Sequence, residues 1–398
     1  MVGYHSALPW LWGLGSAFSP VRSSLIFIYE LLVSLDTGEG EETSEGELMS
    51  QITALMLSND AVRAAVIDNP YSAKPRVQHF HMVPLPPGCV QDGEVVDDAK
   101  DKVAKLLSTL VTRHKYPTQN TALAYASRRL VLREANFPDM ALEELRETLP
   151  YQAEGLIPLP VDQSRLDFVP LTKEQTNQGT MLHGLIVATL RSGLEGVSEV
   201  IEKAGFVLTT IDAAPFCLAR VFASSSVNRV QAIVNVGSSN TDVIVMDNTV
   251  PQYVRTVTAG DNDVIDAIAE ALTIPRDNAI QIKRRIGLQN VVGDKKLEKA
   301  EEVIRETVAQ LIVGVRNTIN YYDNTHPDNP VQTILLTGIG ATLGGFPAVL
   351  ASSTNKVVRL GDPFSNFTLS KDVTNQNIAA HAADYAAVLG LALGKRPQ

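Results

Sequence analysis

The sequence feature that most limits the possible folds is a run of strand-like segments around a polar turn, between Val230 and Val257. Apolar residues alternate with others up to Val236, a Gly-Ser-Ser-Asn-Thr turn follows at residues 237–241, and the alternation then resumes. This pattern predicts β-strands joined by tight turns. An ordinary hairpin would satisfy it. A Gly/Ser turn also exposes successive backbone N–H groups, which can bind a phosphate.

A second glycine-rich turn lies nearer the C-terminus, at Gly338, Ile339, Gly340 and Ala341. The segment before it is typical of a strand, and the segment after it is typical of a helix. A glycine turn that opens a helix brings the backbone close to a ligand and directs the helix N-terminus toward it. We therefore expect a helix to begin at this turn, and we expect the turn to contact a nucleotide.

Further stretches of the chain, together with these turns, resemble a known family. The stretches lie at residues 84–97, 132–171, 204–222, 314–341 and 360–364. The most distinctive is the Leu-Ile-Pro-Leu-Pro run at residues 156–160, which is followed by Asp167 and Phe168. From about Thr53 to Gly394 the chain is similar to the PilM family of type IV pilus assembly proteins, relatives of the division protein FtsA.

The resemblance implies an α/β, actin-like (ribonuclease H-like) fold of two domains with an inserted 1C-type α/β subdomain. Similar strand–turn–strand patterns near residues 54 and 232 agree with an internal duplication. The expected boundaries are an extension at 1–48, domain 1 at 49–83 and 206–228, the 1C-like insertion at 84–205, domain 2A at 229–258 and 306–358, a 2B-like subdomain at 259–305, and a C-terminal return to domain 1 at 359–398.

In this fold two hairpins clasp the nucleotide phosphates, and each usually begins with an aspartate whose carboxylate holds water around Mg²⁺. The resemblance implies that this chain would bind a nucleotide through both hairpins, a helix and the late glycine turn. The residues expected there are Ser58, Asn59, Asp60, Asn235, Gly237, Ser238, Ser239, Asn240, Lys283, Gly338, Ile339, Gly340 and Ala341.

The expected site departs from the family pattern at several positions. Met56 and Asn235 stand where the two aspartates are expected, and Ser58 and Ile339 replace glycines. A thioether or an amide is a poor substitute for a carboxylate near Mg²⁺. We therefore expect ATP binding to be weak or absent, with no strong Mg²⁺ site and no catalytic residue. The alternative is an active ATPase in which Asp60, beyond the turn, replaces the missing charge.

Composition limits the class of partner. The chain has 398 residues, a net charge of −10 and 45% hydrophobic residues, as a globular protein of two domains would. The absence of a basic patch beyond residues 283–285 argues against nucleic acid. Two cysteines, Cys89 and Cys217, suit a reducing cytoplasm. His79 and His81 alternate on one strand, but they lack a third metal ligand in the sequence nearby, so structural histidines are favoured over a metal site.

The first 48 residues do not match the family pattern. The apolar run at 24–35 contains Glu30 and is too short to span a bilayer. It is not followed by the small-residue cleavage pattern that a signal sequence would have. The acidic run at 36–47 has the composition of a disordered linker. Either Met49 is the natural start, or the segment is an accessory helix on a flexible tether. We expect a chain that starts at Met49 to keep its melting temperature.

The resemblance implies a cytoplasmic scaffold of the type IV pilus machinery. It would bind the cytosolic N-terminal peptide of a PilN-like inner-membrane protein, in a groove near the 1C subdomain, beside other pilus assembly proteins. It would lie at the inner face of the membrane through partners alone. The alternatives are an active ATP-hydrolysing protein and an FtsA-like division protein, although the C-terminal sequence lacks the amphipathic helix of that type. A sugar kinase of the same fold has the least support.

Overall fold

The computed structural model describes residues 51–177, 179–223, 230–375 and 382–393. The predictions for residues 1–48 lie outside the described residues. The helices and strands are β1 (Gln51–Leu57), β2 (Ala61–Asp68), β3 (Arg76–Pro84), β4 (Val90–Gln91), β5 (Glu94–Val95), α1 (Lys100–Thr112), β6 (Thr121–Tyr125), β7 (Val131–Pro138), α2 (Leu142–Gln152), β8 (Ser164–Thr176), β9 (Gly179–Leu190), α3 (Arg191–Lys203), β10 (Leu208–Ala213), α4 (Ala214–Phe222), β11 (Val230–Val236), β12 (Thr241–Asp247), β13 (Val250–Val257), α5 (Asp261–Leu272), α6 (Arg276–Ile286), α7 (Lys295–Thr325), β14 (Thr333–Thr337), α8 (Phe346–Thr354), β15 (Val357–Leu360), β16 (Thr368–Leu369), α9 (Lys371–Asn375) and α10 (Ala386–Gly390).

Two large sheets repeat one arrangement. The first has the order β10-β6-β1-β2-β3-β16, and the second has the order β13-β12-β11-β14-β15. In each, a central strand pairs antiparallel with the strand that follows it and parallel with a later one: β1 with β2 and β6, β11 with β12 and β14. The predicted hairpins are confirmed, and the repeat agrees with the predicted duplication. The turns that follow β1 and β11 therefore stand at equivalent positions.

A third, three-stranded sheet of order β7-β9-β8 lies between β6 and α3 in the chain. Its buried residues, among them Phe168 and Ile186, form a small core of their own with Leu145 and Leu149 of α2. The separate sheet covers only the middle of the predicted 84–205 insertion. Strand β6, which falls inside that range, lies in the first large sheet between β10 and β1.

The helices pack on the large sheets through apolar stripes. Helix α7 buries Ile304, Val308, Leu311, Val315 and Ile319 at helical spacing. The chain returns to the first sheet through β16 and α10. Helix α10 lies so close to α4 that a Cβ added at Gly390 would meet the Cys217 carbonyl oxygen at 2.1 Å. None of the helices in the described ranges combines the length and apolar character that a bilayer crossing requires.

The helix predicted to begin at the late glycine turn is wrong in its position. Residues 339–342 form a single 3-10 turn, and α8 begins only at Phe346. The physical reason lies in the intervening glycines, because Gly345 has a φ of +88° and serves as the N-cap in a left-handed conformation. The helix N-terminus therefore does not follow directly on Gly340.

Candidate functional site

The turns that follow β1 and β11 face each other across a narrow cleft. The cleft holds about 50 Å³, room for a few water molecules and well below the roughly 300 Å³ at which ligand pockets begin. Its lining combines the two turns with residues of the intervening loops. The lining residues are Met56, Leu57, Ser58, Asn59, Asp92, Gly93, Ala126, Asn235, Gly237, Ser238, Ser239, Asn240 and Asp242.

Direct hydrogen bonds join the two turns. The Asn59 Nδ2 donates to the Ser239 Oγ at 2.7 Å, and the Asn59 Oδ1 accepts from the Gly93 N–H at 3.2 Å. The Arg128 guanidinium donates to the Ser239 carbonyl at 2.9 Å while it forms an ion pair with Asp92 at 3.2 Å. We call this set of contacts the Asn59–Ser239 latch. A ligand between the turns would have to displace the latch.

The start of helix α5 is bound to the second turn. The Asp261 and Asn262 N–H groups donate to the carbonyls of Gly237 and Ser238, at 2.9 and 2.8 Å. A Cβ at Gly260 would meet the Ser238 carbonyl oxygen at 2.7 Å, so only glycine fits this close approach. Because these N–H groups already donate to carbonyls of the turn, they are not available to a ligand in the cleft.

The second hairpin has a buried carboxylate that sequence analysis missed. Asp242 is the cross-strand partner of Asn235, is 7% exposed and lines the cleft. Its carboxylate accepts from the Asn235 Nδ2 at 3.2 Å and from the Thr256 Oγ1 at 2.9 Å. Burial raises the pKa of Asp242, and the two hydrogen bonds only partly offset this. The symmetry of the hairpin about residues 237–240 was the signal that could have identified it.

The equivalent cross-strand pair in the first hairpin is Met56 with Arg63. Arg63 is 4% exposed and forms an ion pair with Asp60 at 3.0 Å. Burial raises the pKa of Asp60, but the Arg63 charge and its hydrogen bonds outweigh burial, so the pKa lies below its usual value. The Ser58 Oγ also accepts from Arg63. The charge of Asp60 is therefore neutralised by a neighbour in its own hairpin.

The remaining predicted residues lie outside the lining of this cleft. Lys283 is buried and its ammonium binds both carboxylate oxygens of buried Asp261. A Cβ at Gly338 would meet the Val236 carbonyl oxygen at 2.4 Å, and a Cβ at Gly340 would meet the Val236 Cγ1 at 2.2 Å. Close packing against β11 explains both glycines. The flanking Ile339 is half-buried and Ala341 is buried.

Of the two β3 histidines, His81 belongs to a hydrogen-bonded cluster. The His81 Nδ1 lies 2.9 Å from the Tyr116 hydroxyl, and the His81 ring lies against that of His114 with centroids 3.7 Å apart and planes tilted by 42°. Burial, followed by the charges of His114 and His79, lowers the pKa of His81 to about 4. Within the described residues, no group of three or more His, Cys, Asp or Glu side chains is placed to hold a metal ion.

A second cleft lies where the three-stranded sheet meets the first large sheet. Its lining is mainly apolar and includes Tyr125, Leu166, Leu194 and Ile211, and it has room for about one water molecule, 20 Å³. We call it the Arg165 cleft, since the Nε of Arg165 is shielded from solvent there and has no hydrogen-bond partner among the described residues.

A carboxylate also borders the Arg165 cleft. Asp167 forms an ion pair with Arg146 at 3.3 Å and accepts from the Phe168 N–H at 2.8 Å. Burial raises the pKa of Asp167, and the Arg146 charge only partly offsets this. The Asp-Phe pair that the sequence singled out thus lies at this cleft, with the aspartate at its wall and the phenylalanine in the small core.

Comparison with known proteins identifies the family. The family model described as type IV pilus assembly protein PilM matches residues 55–396. A solved structure described as a PilM–PilN type IV pilus biogenesis complex has 21% identity and a TM-score of 0.76, covering 86% of this chain and 98% of that one. Comparison with curated proteins gave no match.

Two further solved structures share the fold. The ethanolamine utilization protein EutJ from Carboxydothermus hydrogenoformans has 16% identity and a TM-score of 0.50, covering 86% of this chain and 89% of that one. MreB 5 of Spiroplasma citri bound to AMPPNP has 12% identity and a TM-score of 0.50, covering 87% and 96%. The fold is therefore the actin-like fold that the sequence predicts, and the chain belongs to the family of the type IV pilus assembly protein PilM.

Proposed function

We propose that this protein is a pilus-assembly scaffold that captures the cytosolic N-terminal tail of a PilN-like inner-membrane protein, without help from a bound nucleotide. The family supports a role in type IV pilus assembly. The similar structure of a PilM–PilN complex supports the choice of partner. Association with the membrane would then depend on the partner.

The Arg165 cleft is the proposed groove for the tail. This choice rests on the Arg165 Nε, which has no hydrogen-bond partner in the part of the chain that the structure describes. A donor shielded from water costs free energy until an acceptor reaches it. A main-chain carbonyl of an extended tail would supply one, while an apolar tail residue would replace water against Leu166 and Leu194. Because the cleft is narrow, the tail must widen it, by movement of β8 or α3. The net charge of −10 favours a tail with Lys or Arg beside its apolar anchor.

The arrangement around the turns that follow β1 and β11 supports tail binding that does not depend on a nucleotide. Asp60 is neutralised by Arg63, Met56 offers no oxygen, and the Asn59–Ser239 latch occupies the space between the turns. Two carboxylates line the cleft: that of Asp92, which is paired with Arg128, and that of Asp242, whose pKa is raised by burial. A Mg²⁺ shell requires charged oxygen ligands, so these residues do not fit a Mg²⁺-nucleotide as they stand.

Calorimetry with a synthetic tail peptide from the PilN-like protein tests the proposal. We expect the intact chain to bind, and we expect Arg165→Ala to weaken binding by about tenfold or more. Exposed Arg316 provides the matched control, Arg316→Ala, which should bind normally. Deleting the whole 84–205 range is a poorer test, since it removes β6 from the central sheet. No binding by the intact chain, or equal binding by a folded Arg165→Ala protein, would refute the proposal.

A second candidate, an ATP-hydrolysing protein, has one observation in its favour, the Asp242 carboxylate in the cleft. If Asp242 ordered a metal, ATP turnover would depend on Mg²⁺ and would disappear in Asp242→Asn. We expect no such turnover from the intact protein. A phosphate-release assay with and without Mg²⁺ distinguishes the two functions.

A further inference from the structure

The largest of the clefts described here lies between the three-stranded sheet and the second large sheet. It holds about 710 Å³, within the range of roughly 300–1,000 Å³ in which proteins bind ligands. One wall is β7 and the other is β13, and each is the edge strand of its sheet. We call it the β7–β13 cleft.

Each wall presents consecutive residues to the β7–β13 cleft: residues 131–134 from β7 and residues 253–256 from β13. Side chains alternate between the two faces of a strand, so consecutive residues do not all point to one side. A run of consecutive residues borders a single cleft when the cleft lies along the edge of the strand. An edge strand has main-chain N–H and C=O groups that no neighbouring strand pairs. The cleft therefore offers two edges to which an extended peptide can add.

The side chains of the β7–β13 cleft are predominantly basic. Arg128, Arg133 and Arg255 line it, against a single acidic residue, Glu134. Arg133 and Arg255 are exposed, and neither forms an ion pair with another described residue. Arg128 is already paired with Asp92, so Arg133 and Arg255 against Glu134 leave the cleft net positive, in a chain whose net charge is −10.

An aromatic pair lies beside these charges. The rings of Tyr253 and Tyr321 lie 5.5 Å apart, both residues line the cleft, and Tyr321 is 51% exposed. Tyrosines of this kind supply apolar contact area with a polar edge, as binding surfaces commonly do. Tyr253 and Arg255 are two residues apart on β13 and share one face of the strand, so an occupant that carries carboxylates beside apolar side chains would contact both kinds of group.

We infer that the β7–β13 cleft binds an extended acidic segment of a partner protein, which adds as a strand to the edge of β7 or β13. This site is distinct from the proposed tail groove, and only Leu130 borders both clefts. The two sites also favour opposite charges in their ligands. The second site therefore gives this scaffold a way to hold another assembly component at the same time as the tail.

Arg128 connects the β7–β13 cleft with the Asn59–Ser239 latch. Its guanidinium borders the cleft and donates to the Ser239 carbonyl at 2.9 Å. A partner carboxylate would compete with that carbonyl, and with Asp92, for the guanidinium, because a pair of opposite full charges adds Coulomb attraction that a neutral carbonyl does not supply. Occupation of the β7–β13 cleft would then loosen one contact of the latch.

Fluorescence anisotropy with a labelled ten-residue peptide of alternating Glu and Val tests the inference on the full chain. We expect the peptide to bind, and we expect the double substitution Arg133→Ala/Arg255→Ala to weaken binding at least tenfold. The double substitution Arg113→Ala/Arg284→Ala removes the same charge from exposed positions elsewhere and should bind normally. A peptide with Lys in place of Glu should bind at least tenfold more weakly than the Glu peptide.

Two further measurements show whether the peptide binds as an added strand and at this cleft. N-methylation of alternate peptide amides should weaken binding if the peptide adds as a strand, since it removes main-chain donors. Arg165→Ala should leave the affinity for the Glu/Val peptide unchanged. The absence of tail binding can then be distinguished from the absence of peptide binding at the β7–β13 cleft. Equal binding of the Glu and Lys peptides, equal binding by the Arg133→Ala/Arg255→Ala protein, or no binding at all would overturn the inference.

Discussion

At the residue scale, the two hairpins differ in the charge that each holds at equivalent cross-strand positions. The first has Met56 opposite Arg63, and the second has Asn235 opposite Asp242. Sequence analysis predicted the loss of the two aspartates at Met56 and Asn235. It did not identify the Arg63–Asp60 ion pair or the position of Asp242 in the cleft, although hairpin symmetry pairs Asp242 with Asn235.

Restoring an aspartate at Asn235 should destabilise the protein. Asn235→Asp would place a second carboxylate beside buried Asp242, and two like charges at a buried site cannot both ionise cheaply. We expect a loss of ~2–4 kcal/mol in the free energy of unfolding at pH 7. The loss should shrink toward pH 5, since the folded state retains a proton that the unfolded state releases.

Chemical denaturation at both pH values measures this effect. Asn317→Asp makes the same chemical change at an exposed position of α7 and should be nearly neutral. An Asn235→Asp protein as stable as its parent at pH 7 would show that the second hairpin tolerates two charges. The account of Asp242 as a buried and easily protonated group would then be wrong.

His81 should make the fold sensitive to acid. Its pKa is about 4 in the folded protein and about 6.5 in an unfolded chain, so the unfolded state binds more protons between these values. The contribution of neutral His81 is fully present above pH 6.5 and is lost as the pH falls toward 4. Replacement by Gln should flatten the dependence of the melting temperature on pH in that window. An unchanged profile would contradict the assignment.

At the element scale, the sequence predicted the strands of the two hairpins, β1, β2, β11 and β12, from their strand–turn–strand patterns. Alternation could not show which sheet a strand joins. Strand β6 was predicted within the insertion, although its parallel pairing with β1 places it in the first large sheet. The late glycine turn was placed correctly, but its glycines serve packing against Val236.

Gly338 should be intolerant of a side chain for that reason. Its φ is +90°, and an added Cβ would meet the Val236 carbonyl oxygen at 2.4 Å. We expect Gly338→Ala to lower the free energy of unfolding by ~1–3 kcal/mol or more. At Gly344, the nearest atom to an added Cβ is 3.9 Å away, so Gly344→Ala should cost far less. Equal effects in thermal denaturation would show that close packing does not determine the turn.

At the scale of the whole molecule, the clefts form between sheets, and residues far apart in sequence line each of them. The Asn59–Ser239 latch joins the two halves of the duplicated fold, and Arg128, in the loop between β6 and β7, adds a contact to it. The sequence could predict both turns, but it could not predict that they bind each other. The family resemblance predicted a groove near the 1C-like region, and the geometry supplies two clefts of different chemistry there.

Calorimetric titration of the PilN-like tail peptide into the full chain, with and without ATP and Mg²⁺, shows whether tail capture depends on a nucleotide. We expect the same affinity in both conditions, because the latch closes the space between the turns after β1 and β11 and the proposed tail groove is the separate Arg165 cleft. A titration of ATP into the same protein serves as the control and should show weak binding that does not depend on Mg²⁺. Tail binding that appears only with ATP and Mg²⁺ would contradict the account.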